Sequence, residues 1–207
     1  MNISKFILID AALAIATVPI LFFLQGRKNS PLFGNSNKEE LLKKNSVKVP
    51  EKEKLIELDK LAKKQGSGIK FDSLLGDWKF VTVWKKEIDE EDTVFSSLLR
   101  VFSAKIKLKD NISSLNSPKF AVIASIQFGL LTIEFSGPGF LKGKQPLLSF
   151  FLNLIELKSG SNILLSRSLQ EQEEKEKPFF ALIALEKNDK WLLARGQGGA
   201  MLLLLKD

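Results

Sequence analysis

Candidate chemistry begins with a carboxylate cluster: Glu87, Asp89, Glu90, Glu91 and Asp92 fall within six positions. A calcium loop needs oxygen ligands at alternating positions around a central glycine, and this run has neither. It reads as a solvated loop, and so does Gln170–Lys177 (QEQEEKEK). The chain has no Cys, His or Tyr. Disulfides, thiolate nucleophiles, imidazole bases and Cys/His zinc sites are therefore excluded. An enzyme would have to work through Ser, Lys and carboxylates, and no carboxylate pair stands out. Gly196-Gln197-Gly198-Gly199 shares only its glycines with a phosphate loop, lacking the Lys-Ser/Thr end and a following helix. The expectation is a protein that is not an enzyme and holds no metal or cofactor.

The other suggestive residues are aromatic. Trp78, Phe80 and Trp84, at i, i+2 and i+6, would share one face of a strand. Phe120, Phe150, Phe151, Phe179 and Phe180 make the probable strands aromatic-rich. Such side chains either fill a core or wall a cavity for one hydrophobic guest. On the second reading the lipid-binding set is Trp78, Phe80, Trp84, Phe120, Phe151, Phe180 and Arg195. The guest would be lipid-like. Arg195, a lone cation at the end of an apolar run, would hold a carboxylate head group or stay exposed.

Positioning these residues calls for a sheet. Trp191–Ala194 and Met201–Leu205 flank the glycine cluster and read as a terminal β-hairpin. Five consecutive apolar residues, Met201–Leu205, need cover on both faces. Their expected partner is Leu74–Trp84, and pairing first strand with last would close a barrel. Lys105–Lys109, Phe120–Phe128, the alternation at Leu131, Ile133 and Phe135, Ser149–Leu157, Asn162–Leu169 and Phe179–Glu186 supply further strands. Breaks fall at Asn111–Pro118, Gly137–Pro146, Ser159–Ser161, Gln170–Pro178 and Lys187–Lys190. The fold class is mostly β: an antiparallel barrel of about eight or nine strands over residues 71–207. Ahead of it, within 51–70, Pro50 starts and Gly66 stops an amphipathic helix over Glu51–Gln65. Its apolar face is Leu55, Leu58, Leu61 and Ala62, expected against an end or opening of the barrel.

Residues 1–26 are read as an anchor. Phe6–Leu24 is a 19-residue run whose only charge is Asp10, near one end. At 1.5 Å per residue it spans a hydrocarbon core of about 30 Å, with Phe6, Leu13, Val18, Phe22 and Leu24 facing lipid. It is longer than a signal-peptide core and ends without small residues before a cut; a helix buried on the domain is the other alternative. Residues 27–50 form a linker carrying Arg27, Lys28, Lys38, Lys43, Lys44 and Lys48, against Lys5 alone before the span. The positive-inside rule then places the C-terminal domain on the cytoplasmic or stromal side of a single-pass membrane protein. Residues 1–70 hold 13 Lys/Arg against 7 Asp/Glu, whereas residues 71–207 hold 18 against 17. The overall charge of +7 thus belongs to the N-terminal third. Membrane lipids are the expected partner, a protein partner is possible, and no nucleic acid is implied.

The basic linker, the amphipathic helix, Leu74-x-Gly76-x-Trp78 and the Arg195-Gly196-x-Gly198-Gly199 hairpin together resemble the plastid-lipid-associated protein/fibrillin family. The resemblance runs from about Glu51 to Asp207. It departs where the family's first arginine before the last turn is Leu192, and an N-terminal span is uncommon in that family. The resemblance implies a lipocalin-like barrel that binds lipids or isoprenoids at photosynthetic membranes. The N-terminus lacks the Ser/Arg richness of a transit peptide. A cyanobacterial-type member, on the thylakoid or plasma membrane, fits that observation.

Overall fold

The computed structural model describes residues 50–86, 90–110, 119–169, 177–186 and 190–207. The anchor residues Phe6, Leu13, Val18, Phe22 and Leu24, the basic linker, Glu87 and Asp89, and most of Gln170–Lys177 lie outside them. Among the described residues no helix is long and apolar enough to cross a membrane. The elements are α1 (Lys52–Gln65), α2 (Phe71–Leu74), β1 (Gly76–Trp84), α3 (Thr93–Val101), β2 (Lys105–Asp110), β3 (Lys119–Phe128) and β4 (Leu131–Lys142). They continue with β5 (Leu147–Phe150), β6 (Leu154–Ser159), β7 (Asn162–Ser168), β8 (Phe179–Glu186), β9 (Trp191–Gly196) and β10 (Met201–Lys206).

Eight antiparallel strands close a barrel in the order β1-β2-β3-β4-β5-β8-β9-β10 and back to β1. The closing seam is the expected one: Trp78 pairs with Lys206 and Trp84 with Met201. Leu202 and Leu204 point into the barrel core, whereas Met201, Leu203 and Leu205 belong to a second cluster outside it. That outer cluster is covered by α1 through Leu55 and Ala62, with Ile56 and Leu58 alongside. The helix therefore lies on the outer wall and not at an opening, because the two-sided apolar run of β9 and β10 needs a lid there. Leu61, expected on the buried face, is 46% exposed. Gly66, at φ +84°, ends α1 where an added Cβ would meet the Lys144 carbonyl at 2.3 Å.

A register shift between Phe80 and Thr82 breaks the alternation of β1. Before it, Trp78 and Phe80 face inward; beyond it, Val83 faces inward and Trp84 packs outward beside the α1 cluster. The expected shared face of Trp78, Phe80 and Trp84 is thereby split.

Two breaks also fall elsewhere than expected. β4 runs straight through Gly137-Pro138-Gly139, while Ser149–Leu157 divides at 151–153 into β5 and β6. The cause is a fork. The first half of β4 pairs with β6 as far as Ser136, and the second half pairs with β5 from Gly139. Pro138, with no N–H to give a ladder, stands at the gap between them. The crossing chain passes so close that a Cβ on Gly137 would meet the Phe151 carbonyl oxygen at 2.0 Å. Strands β6 and β7 leave the barrel there as a wing paired to the first half of β4, whose other edge is β3.

Candidate functional site: an apolar cavity continuous with an open sheet face

The barrel core is closed on one side by α3, which no strand pattern anticipated. Asp92 caps it by accepting from the Phe95 N–H at 2.9 Å. Phe95, Leu98, Leu99 and Phe102, at i, i+3, i+4 and i+7, turn into the core. The spacing was readable, and it gives the last of the acidic residues a structural role. Ser96 Oγ accepts from the Val83 N–H at 2.9 Å and so pins the helix to β1. Arg100, 6% exposed, gives Nη1 to the Val81 carbonyl at 2.7 Å and Nη2 to Ser97 Oγ at 3.0 Å. Its guanidinium thus takes up a carbonyl at the β1 register shift. Burial pulls its pKa below the ordinary arginine value, and the Glu91 carboxylate 3.9 Å away opposes that.

Beneath α3 lies a small cavity walled by Phe80, Leu99, Ile106, Ile126, Phe150 and Phe180. A water-sized sphere can place its centre over about 10 Å³ there, room for roughly one water. The Phe150 and Phe180 rings lie 5.5 Å apart, and Phe80 and Phe180 lie 6.4 Å apart. Of the sequence-predicted lipid-binding residues, Phe80 and Phe180 meet here. Trp78 and Phe120 are buried in the same core but do not line the cavity: Trp78 Nε1 donates to the Leu74 carbonyl at 2.7 Å, and Phe120 stacks on Phe71 at 4.1 Å. Trp84 faces outward, and Phe151 lies outside the core with Lys177 Nζ 4.9 Å from its ring.

Arg195 is neither at the barrel mouth nor exposed. It reaches outward to α1, where Nη2 and Nε meet the two oxygens of Asp59 at 2.9 and 3.2 Å. Lys63 adds a contact to Asp59 at 2.8 Å. Burial alone would push the Asp59 carboxyl up, but hydrogen bonds from Arg195 and then Lys63, with their charges, hold it below its ordinary value. The head-group carboxylate expected for Arg195 is supplied by the chain itself, 136 residues away.

The inner face of the sheet does not end at the barrel. Cross-strand partners in an antiparallel sheet share a face, and the register carries one row from Ile126 to Ile133, Leu157 and Leu165. A parallel row runs from Ala124 through Phe135 and Ile155 to Arg167. Exposure rises along the first row, from 5% at Ile126 to 60% at Leu165. Phe128 and Leu131 flank it, 52% and 38% exposed. The opposite face of the wing carries charge: beside Ile163, Lys158 bridges Glu134 and Glu156, and those two carboxylates hold its pKa above the ordinary lysine value. That amine stays charged and is no nucleophile.

Among the described residues no cluster of three or more acidic side chains could hold a metal ion. No protein-family model matches the chain, and no curated protein does.

Proposed function

We propose that this chain is a membrane-tethered, non-catalytic protein that binds or shelters a hydrophobic ligand, built on a lipocalin-like barrel of the plastid-lipid-associated/fibrillin type. The observation that carries this reading is the apolar inner face that runs unbroken from the cavity at Ile126 and Phe180 to the exposed Leu165 of β7. Soluble monomers rarely leave so continuous an apolar strip in water, and such strips mark ligand or partner sites. In this proposal Phe6–Leu24 is the anchor, and the basic linker holds the domain at the cytoplasmic or stromal surface of a thylakoid or plasma membrane.

A second reading has its own support. The cavity beneath α3 has room for about one water, which favours a solid-packed barrel that acts as an adaptor for a protein partner. Mass spectrometry of organic extracts from the purified full chain separates the two. A stoichiometric fatty acid, carotenoid or quinone supports the carrier. A folded chain that yields no lipid and takes up none from mixed thylakoid-type lipids overturns it in favour of the adaptor.

A further inference from the structure

We propose that the wing face formed by β3, β4, β6 and β7 is the binding site, and that its ligand is a single-chain anionic amphiphile with a carboxylate head. The acyl chain lies along Ile126, Ile133, Leu157 and Leu165, and the head group pairs with Arg167. This rests on the hydrophobic-ligand reading and narrows it, because a carotenoid or a neutral quinone has no head for Arg167 to recognise.

Three observations select this occupant. The row crosses four strands, so its length is about 14 Å at ~4.8 Å per strand step. That matches the length of one acyl chain lying flat along the row. Charge is the second observation. Arg167 is exposed, follows Leu165 by two residues on the same face of β7, and meets no carboxylate among the described residues. The carboxylates of the wing, Glu134 and Glu156, are on the opposite face, bonded to Lys158. The ligand-facing side thus carries an unpaired cation beside an apolar track, complementary to a fatty-acid anion. Third, the site is reached from the open side of β7. A chain tail entering along the row ends at Ile126, on the wall of the cavity with Phe80 and Phe180. A bilayer surface fits less well, because the unpaired backbone edge of β7 would have no partner in hydrocarbon. An amphiphile lying on the face leaves that edge in water.

The test is a titration of the full chain, in a mild detergent below its micelle concentration, with cis-parinaric acid and with its methyl ester. The acid should bind and the uncharged ester should bind roughly two- to fivefold more weakly, the upper range of one exposed ion pair. Arg167→Gln should bring the acid down to the ester's affinity and leave the ester unchanged. Leu165→Lys should weaken both. Lys109→Gln, an exposed substitution on β2, should change neither. If Arg167→Gln leaves the preference for the acid intact, the head-group assignment is wrong while the ligand reading stands. If neither probe binds, the amphiphile proposal fails, while the wider hydrophobic-ligand reading is decided by the organic extraction. Self-association of the chain that Leu165→Lys abolishes, without probe binding, would give the face to a second copy and overturn the proposal.

Discussion

Single residues at buried positions show how this chain satisfies charge without solvent. Asp59 is 5% exposed, yet Arg195 and Lys63 together outweigh the cost of burying its carboxylate. Because its folded pKa is depressed below the ordinary 3.8, the unfolded chain takes up the proton first as pH falls. The stabilisation is complete above that value and is lost as pH drops through the lowered folded value. Asp59→Asn should therefore cost about 3 kcal/mol near neutrality, the scale of breaking a buried pair by removing one partner. The gap to the wild type should begin to narrow below about pH 4 and keep narrowing toward the lowered folded value. Urea unfolding midpoints of both proteins from pH 7 to pH 3 check this, and a gap independent of pH would mean that Asp59 contributes through packing and not through charge. Arg195 was singled out from its place beside the glycine turn, but its partner could not be read, since nothing local links Asp59 to a turn 136 residues on.

At the scale of elements, strand existence was legible and strand parity was not. Alternation located β2, and apolar runs between turn signals located β3, β8, β9 and β10, almost to the residue, the last three being apolar on both faces. The split of Trp78 and Phe80 from Trp84 arises from one irregular step at Val81, which leaves no mark in the pattern of residue types. Helix α3 was legible in principle: Asp92 followed by apolar residues at 95, 98, 99 and 102 is a capped helix. The fork in β4 was hidden because Gly-Pro-Gly is the usual sign of a loop. Here the glycines serve close approach instead. Gly137→Ala should destabilise by about 2–3 kcal/mol, since the new Cβ meets backbone that cannot swing aside as a side chain could. Gly160→Ala, at the β6–β7 turn with open space around it, would meet only its φ of +58° and should cost about 1 kcal/mol. Thermal denaturation of the two variants tests the ranking; equal losses would show that the chain at 151–153 yields freely.

Across the whole molecule, the same strands that close the barrel are its most enclosed part. Met201–Leu205 is buried along its whole length, between the barrel core on one side and α1 on the other, and both of its edges are paired, to β1 and β9. Strand β7 is the reverse: every residue is exposed, and among the described residues only one edge is paired, to β6. Opening of β7 loses little buried apolar surface, whereas opening of β10 dismantles both clusters at once. Amide exchange should therefore divide the protein. The β10 amides should be released only by global unfolding, and those of Asn162–Ser168 by local opening with a free energy far smaller. Urea separates the two, because local opening exposes little surface and its exchange rate should barely respond to denaturant, while β10 exchange should accelerate with the global slope. Addition of a fatty acid should slow exchange in β7 and β6 and slow β10 by a similar factor, since local opening of the wing and global unfolding both release the ligand. Exchange in β7 that tracks β10 in urea would mean that wing and barrel unfold as one unit, and an open, adaptable face would then be a poor description of how this protein meets its ligand.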